Sequence, residues 1–428
     1  GVGARSGNQT VSMYIDNIPY FNTSSFDAEL FDIQRIEVLR GTQGTLYGRN
    51  AMGGIMNIYT YSPLSYEGTT IKAGGGNYGQ FSANASHYQR LNSTMGFSAG
   101  AYYRRDDGYF KNLYTGKKVD DMQNAGGRAK FVWEITPHFS ATYSASFDYV
   151  DQGAFPYANI ETGDIDYDSE GYYKRKLLTN GLALRYAGSG YEINSTTGYQ
   201  YLNDEMNMDQ DYTRLSIFQI NQKQRQNSLS QEITAKSTSN SNYQWSVGGY
   251  GFYDYLHTTP PVYMMKDGIQ KYLQAPLTAM GAPITFTDDQ IDLDGQYKRP
   301  TYGLAVFHQS TFNNLFGVKG LSSTLGIRLD YEKTKLDYNA DTKANFEVKI
   351  PNSPAPAIKM AADTAIIGSS SADFLEFLPK AVLKYEFHKD SYIYASASRG
   401  YKAGGHNIQI FADLLQKALE ANMMSQMP

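Results

Sequence analysis

Residues 139–149 read Phe-Ser-Ala-Thr-Tyr-Ser-Ala-Ser-Phe-Asp-Tyr, and their alternation decides the fold class of this 428-residue chain. The odd positions carry Phe, Ala or Tyr, and the even positions carry Ser, Thr or Asp. A period of two places every apolar side chain on one face of a β-strand. Residues 125–133, 243–255 and 325–332 alternate in the same way. These runs are longer than usual globular strands, and they fit a tilted membrane-spanning strand of about 9–11 residues.

The alternation predicts thirteen strands between residues 68 and 403, joined by connections that alternate in length. Every second connection is a short turn, as at 92–93, and most of the others are long loops, including 258–298 and 340–373. A strand at 374–387 is expected after that last loop. Short turns at one rim and long loops at the other are typical of an outer-membrane β-barrel. The alternative is a soluble β-sandwich or propeller, which would need shorter strands and would not alternate short turns with long loops.

The odd strand count has a consequence, because a barrel in lipid must close and bacterial single-chain barrels use even counts. We therefore expect further strands after residue 428. Near the end of the chain, helical spacing of apolar residues predicts a short amphipathic helix in an outward loop, with the role of a stabilising lid. The residues on its apolar face are Phe411, Leu414, Leu415 and Ala418.

Composition excludes several classes of protein. The 38 Lys and Arg nearly balance the 42 Asp and Glu, which argues against a nucleic-acid partner. The absence of cysteine excludes disulfides, thiolate metal sites and a cysteine nucleophile. The sequence contains no run of 18 apolar residues, so it predicts no transmembrane helix. Acidic stretches at 161–170 and 288–295 are expected to be solvated loops, although spaced carboxylates also suit Ca²⁺. The six scattered histidines predict no metal centre.

The first 65 residues differ from the rest in sequence pattern, since they hold a glycine-rich loop between short strands. The loop reads Gly41-Thr-Gln-Gly-Thr-Leu-Tyr-Gly-Arg-Asn-Ala-Met-Gly-Gly54. It lacks the Gly-Lys-Ser/Thr and G-x-G-x-x-G patterns of nucleotide sites. We therefore expect a compact plug with tight turns, in which the glycines allow unusual backbone angles and close approach. These turn glycines are Gly41, Gly44, Gly48, Gly53 and Gly54.

Residues 32–54, DIQRIEVLRGTQGTLYGRNAMGG, resemble the plug signature of TonB-dependent outer-membrane receptors of the siderophore-receptor type. Thr42 stands where that family usually has Pro. Tyr14–Pro19 is similar to the family's Y-V-D-G-V-P, with Asn17 in place of Gly, and Ser398–Gly405 resembles one of its late barrel strands.

The resemblance implies an all-β fold, a transmembrane antiparallel barrel of about 22 strands with an N-terminal plug inside. About thirteen of those strands would be present here, with the start of the plug and the end of the barrel absent. Residues 1–65 would form the C-terminal part of the plug, and residues 66–428 a partial barrel with long extracellular loops. The implied location is the bacterial outer membrane.

A plug must be held firmly and still be displaceable. Buried charged contacts can do this, because water solvates their groups once the plug moves. The candidates for pairing between plug and wall are Arg35, Glu37, Arg40 and Arg49. The alternative for them is a solvated surface.

Ligand affinity is expected from the plug apex and from the outward loops. By resemblance, Tyr20, Phe21 and Asn22 lie in an apical plug loop that touches the ligand. Aromatic residues in the long loops are further candidates, with anchoring at the membrane interface as the alternative. These are Tyr109, Phe110, Phe155, Tyr157 and Tyr263.

The expected function is active import of a scarce ligand, with a ferric siderophore as the first choice. The resemblance implies TonB as partner, driven by the inner-membrane proton gradient, in contact with outer-membrane lipid. Neither catalysis nor a cofactor is expected. The alternatives are an importer of cobalamin, haem or oligosaccharide, the last with a surface lipoprotein, or a structural member of an outer-membrane assembly.

Overall fold

The computed structural model describes residues 9–26, 29–153, 156–239, 241–350, 353–408 and 410–426. Within these residues the strands form two sheets, a small one of four strands and a large one of sixteen. The fold is therefore mostly β, as predicted. No helix in the described ranges combines the length and the apolar character that a membrane span requires.

The small sheet is the plug sheet, formed by four strands in the spatial order β2-β1-β4-β3. β1 and β4 run parallel, whereas the β1–β2 and β3–β4 pairs are antiparallel. A single helical turn, α1, lies in the glycine-rich loop between β3 and β4. The elements are β1 (Val11–Ile15), β2 (Ile18–Tyr20), β3 (Ile33–Arg40), α1 (Gly44–Tyr47) and β4 (Gly54–Thr60).

The large sheet is the wall, in which each long strand pairs antiparallel with the next long strand of the chain, except that two strands near the end both pair with the strand before them. Its first strands are β5 (Gly68–Gly75), β6 (Phe81–Arg90), β7 (Met95–Asp106), β8 (Met122–Thr136), β9 (Phe139–Gly153), β10 (Tyr172–Ala187), β11 (Tyr191–Asp209), β12 (Phe218–Ser237) and β13 (Tyr243–Thr259). The remaining long strands are β16 (Gln290–Asn313), β17 (Leu321–Val348), β18 (Ile358–Phe377), β19 (Lys380–His388) and β20 (Ser391–Ser398). Two short strands, β14 (Val262–Met265) and β15 (Ile284–Phe286), pair with its outer ends.

The thirteen predicted wall strands are confirmed when β18 and β19 count as one. Both pair with β17, one after the other, and the break between them lies at Leu378 and Pro379. Proline has no backbone N–H to give to the ladder, so it interrupts a strand at this point.

The wall is apolar on its outer face and polar on the face that meets the plug. Along β17, Ile327 is 52% exposed on the outside, whereas Arg328 and Glu332 are 3% and 2% exposed on the plug side. A soluble protein shows the opposite arrangement, with apolar groups inside. An apolar outer band around a polar lumen is the arrangement of a membrane barrel.

The predicted loops 258–298 and 340–373 are wrong in part, because strands extend through much of both. β17 continues to Val348 and β18 begins at Ile358. Several of the inward-facing residues there are small and buried, including Ala340, Ala344 and Ala362. Alanine and threonine give little apolar contrast, so the alternation was not visible in the sequence.

These extensions, with helices from two connections, form an outer cap with its own apolar core. The helical part of the first connection comprises α2 (Lys266–Gly268), a π-helical turn at Ile269–Gln274 and α3 (Ala275–Ala279). The second connection is α4 (Ile410–Ser425), which packs on β16, β17 and β18. The core includes Met264, Leu273, Ile291, Phe346 and Leu419.

The helix predicted near residue 411 is confirmed, but its buried face differs from the prediction. α4 buries Phe411, Leu415, Leu419 and Met423, which are spaced by four residues. Leu414 is 43% exposed. The small alanines of the wall extension leave room for this close packing.

Candidate functional site

Basic side chains of the wall hold the plug by its backbone. Arg128 Nη2 donates to Glu29 O at 2.9 Å, and Arg328 Nη1 donates to Leu46 O at 3.3 Å. Arg175 donates in the same way to the carbonyl of Ser24. Hydrogen bonds from charged donors are stronger than neutral ones, so these contacts fix the plug without needing a particular plug side chain.

Two partly buried ion pairs join plug and wall. Lys130 Nζ lies 2.9 Å from Asp16 Oδ2, close to the plug strand β4, where it also contacts Thr60. Arg49 Nε lies 3.4 Å from Glu332 Oε2 on β17. Both pairs link plug residues to the polar face of the wall, where water can replace them if the plug moves.

Of the four charged plug residues predicted to meet the wall, Arg49 does so. Arg35 and Glu37 instead pair with each other at 2.7 Å while both stay well exposed, and Arg35 also stacks on Tyr59 at 3.8 Å. Arg40 is exposed as well. All three lie on β3, an edge strand of the plug sheet, so their placement contradicts the wall-pairing prediction.

Apolar contacts supplement the charged ones at β10 and β11. Gly181 and Gly198 lie opposite each other in the wall, and Ile18 of the plug covers both. A side chain at either glycine would overlap Ile18. Tyr20 is 3% exposed in the adjacent apolar cluster, between the plug and Leu177 of the wall. This burial contradicts the prediction that Tyr20 contacts ligand.

The predicted plug glycines serve the turn in different ways. Gly41, Gly48 and Gly54 have positive φ, whereas Gly44 and Gly53 do not. The strongest requirement is at Gly48, with φ of 71°, where a Cβ would also overlap the Arg328 guanidinium. Glycine therefore lets α1 rest directly against the wall.

The plug apex contacts the polar wall through Phe21 and Asn22, as part of the predicted ligand loop. The Phe21 N–H donates to Gln200 Oε1 at 3.2 Å, and Asn22 Nδ2 donates to Gln226 Oε1 at 3.0 Å. Both residues line a small polar cavity, the lower cavity, with Arg49, Arg299, Asp254 and Glu332. Its balanced charges suit a contact that water can enter.

A larger space, the upper chamber, lies further out on the same face of the wall. On β12, Ile220 and Gln222 precede Gln226 on the same face of the strand, and on β16, Leu293 and Tyr297 precede Arg299 in the same way. α4 of the cap contributes Leu415. The two spaces thus follow one another from the long-loop rim toward the plug.

The loop aromatics do not converge on one site. Tyr157 packs on Tyr212 with ring centroids 4.4 Å apart, in the apolar cluster that includes Ile220. Tyr263 lines a separate groove with Lys223 and Asp341. Tyr109 donates to Asp106 at 3.0 Å and contacts Tyr78. Phe110 is exposed, and Phe155 lies outside the described residues.

The wall cations and the glutamines of β12 were missed by sequence reasoning. The signal was present, because Arg128 and Lys130 alternate with the apolar residues of 125–133 and must face the lumen. No group of three or more acidic or histidine side chains in the described ranges is arranged to hold a metal ion.

Comparison with known proteins identifies both parts of the chain. Residues 1–55 match the TonB-dependent receptor plug domain, and residues 133–416 match the TonB-dependent receptor-like β-barrel, which is more than half of the chain. The pesticin receptor of Yersinia pestis is 36% identical over 122 residues, 27% of this chain and 17% of that receptor. The vitamin B12 transporter BtuB of Vibrio vulnificus (strain CMCP6) is 29% identical over 161 residues, which are 37% of this chain and 24% of that transporter.

Solved structures share the fold. The ferric yersiniabactin uptake receptor FyuA from Yersinia pestis matches with a TM-score of 0.72 and 20% identity, over 93% of this chain and 57% of that one. The siderophore receptor PiuA from Acinetobacter baumannii matches with a TM-score of 0.62 and 12% identity, over 91% of this chain and 59% of that one. This chain spans less than two thirds of each of these four relatives. The chain belongs to the TonB-dependent receptor family of the bacterial outer membrane.

Proposed function

We propose that the protein imports a ferric siderophore across the outer membrane, with TonB supplying the force that displaces the plug. The ligand would bind at the long-loop rim, in the upper chamber and against the plug apex. The inner-membrane proton gradient would drive TonB. Outer-membrane lipid would surround the apolar face of the wall.

The observation that carries this proposal is the way the plug is held. Many of its contacts with the wall are charged or polar, such as Arg49 with Glu332 and Lys130 with Asp16. A dry apolar interface would lose its stabilisation when wetted, whereas these groups become solvated as the plug moves. Membership of a TonB-dependent family and the siderophore receptors among the structural relatives support the same proposal.

An uptake assay tests the proposal. Cells that depend on this receptor should accumulate radiolabelled iron from a siderophore complex, and deletion of TonB should abolish the accumulation. Uptake that continues at the same rate without TonB would contradict active transport. Ligand that binds without being imported would instead favour a structural or purely adhesive role.

Cobalamin import is the second candidate, favoured by the similarity to BtuB over 161 residues. The same cells offered radiolabelled cyanocobalamin would distinguish it. TonB-dependent accumulation of cobalamin without accumulation of iron would replace the siderophore proposal.

A further inference from the structure

The long-loop side of the molecule is strongly acidic. It comprises residues 107–121, 156–171, 209–217, 260–294, 337–350, 353–363 and 410–426, which hold the loops between strands and the outer cap. These segments contain 21 of the 42 acidic residues of the chain but 10 of its 38 basic residues. The rest of the chain has a basic excess. A ligand that approaches from outside therefore meets a negative field, which repels anions and attracts cations.

The upper chamber continues this pattern at close range. Its described lining includes the carboxylates of Asp294 and Asp413, and none of the lining residues is Lys, Arg or His. Burial raises the pKa of Asp294, and the neighbouring carboxylates of Asp292 and Asp341 raise it further. An anionic ligand would lose water in this chamber without gaining a cation, which is unfavourable.

The chamber also has apolar walls and unused hydrogen-bonding groups. Phe218, Leu293 and Tyr297 give it flat and aliphatic surface. Gln222 is 5% exposed, and its Oε1 accepts no hydrogen bond from any described residue. Gln210 Nε2, in the same lining, is likewise buried and donates to none of them. A buried polar atom without a partner is costly, so these two amides are prepared to bind polar groups of a ligand.

The chamber opens to solvent and has a cavity volume of about 370 Å³ between α4 and the wall, which lies within the range of small-molecule sites. It also leads inward along β12, where Gln222 is followed by Gln224 and by Gln226, the partner of Asn22 at the plug apex. Amide groups thus follow one another from the outer chamber to the plug.

We propose that the upper chamber selects uncharged or cationic iron chelates, of the hydroxamate type, against polyanionic catecholate chelates. This inference rests on the proposed siderophore function. Three hydroxamates neutralise Fe³⁺, whereas three catecholates leave a trianion. Gln222 and Gln210 would bind the amide and carbonyl groups of the chelate, and Phe218, Leu293 and Tyr297 would contact its hydrocarbon parts.

Three hexadentate iron chelates that differ in charge test the selection by calorimetry on the purified receptor. They are ferrichrome, an uncharged trihydroxamate, ferrioxamine B, a monocation, and ferric enterobactin, a trianion. We expect the first two to bind at least tenfold more tightly than the third. We also expect added salt to slow the association of ferrioxamine B, because salt screens the attraction. Equal or tighter binding of ferric enterobactin would overturn the inference.

A pair of variants tests whether the chelate binds in the upper chamber. Gln222→Leu should weaken ferrichrome binding about tenfold, the loss expected for one hydrogen bond in a dry site. Gln219→Leu, a neighbour on β12 outside the chamber lining, should leave binding unchanged. Equal effects of the two variants, or no effect of either, would contradict the assignment of the site.

Uptake measurements separate this inference from the proposed function. If TonB-dependent uptake is seen for ferric enterobactin and not for the two hydroxamates, the transport proposal stands and the selection inference fails. If none of the three chelates is accumulated by cells that depend on the receptor, the siderophore function itself fails.

Discussion

Single residues decide how firmly the plug is seated, and Arg49 is the plainest case. Its partner Glu332 is almost completely buried in the wall. Arg49→Gln would leave that carboxylate without its ion pair, and breaking a buried pair costs about 3 kcal/mol. We expect the plug of this variant to be displaced at lower urea concentration, measured as ion conductance through the barrel in a planar bilayer. Arg35→Gln is the control, because Arg35 pairs with Glu37 in water. Equal urea midpoints for the two variants would contradict the assignment.

A second residue predicts a dependence on pH at the outer rim. Burial raises the pKa of Asp209 to about 7, and Asp211 and Asp168 add to the rise. In an unfolded loop the carboxyl ionises near pH 4. Between about pH 4 and 7 the unfolded form therefore loses a proton that the folded form keeps, so the folded loop loses stability as the pH rises. Below about pH 4 both forms are protonated, so the stability of the folded loop no longer changes with pH.

Hydrogen exchange of residues 209–217 measures this effect, after correction for the intrinsic pH dependence of exchange. Protection should be greater at pH 5 than at pH 8. Asp209→Asn should remove most of the difference, whereas Asp289→Asn, which alters a well-exposed carboxylate, should not. A native loop with the same protection at both pH values would show that Asp209 is ionised throughout.

At the scale of elements, the turn that carries α1 is limited by the space beside it. Gly41 and Gly48 both have positive φ, but only at Gly48 does a Cβ meet the Arg328 guanidinium. Gly41→Ala should cost about 1 kcal/mol through backbone strain alone. Gly48→Ala should cost about 2 kcal/mol more, because α1 must move off the wall and Arg328 loses its bond to Leu46. Faster tryptic cleavage of the plug in Gly48→Ala than in Gly41→Ala would be the observed sign, and the reverse order would refute it.

The cap depends on α4 in a similar way. Leu415 is buried against the wall extension, whereas its neighbour Leu414 is exposed. Leu415→Ala should cost about 2–4 kcal/mol and loosen the helix, as large-to-small changes in a core do. Leu414→Ala should change little. Hydrogen exchange of residues 410–426 compares them, and equal protection in both variants would mean that α4 does not pack on the wall.

At the scale of the whole molecule, the strands and their two faces were predictable because alternation is a local property. Residues 139–149 show which side of a strand meets lipid without knowledge of its neighbours. The plug contacts were less predictable. Whether Arg35 or Arg49 reaches the wall depends on how the plug sheet is rotated inside the barrel, which no short stretch of sequence encodes. The boundary between plug and wall at residue 65 stays a prediction.

The candidate ligand residues also divide into those whose position was predictable from the sequence and those whose position was not. Phe21 and Asn22 lie at a cavity because the plug motif fixes the position of their loop. Tyr263 and Tyr109 were selected only as aromatics in long loops, and such residues can lie on any side of a loop. The chamber itself depends on α4 packing against the start of β16, more than a hundred residues earlier in the chain, and this contact has no local signal.

The central claim is that the N-terminal segment lies as a plug inside the barrel, and the lack of cysteine allows a direct test. A Cβ at Gly326 of the wall would lie 2.7 Å from Cγ2 of Thr45 in the plug, within reach of a disulfide. The Thr45→Cys, Gly326→Cys variant should form that disulfide in intact outer membranes and migrate faster on electrophoresis, reversibly with reductant. Val38→Cys with Gly326→Cys, in which the plug position is exposed, should not. A reduced Thr45→Cys, Gly326→Cys protein under oxidising conditions, or equal cross-linking of both pairs, would contradict a plug seated in the lumen.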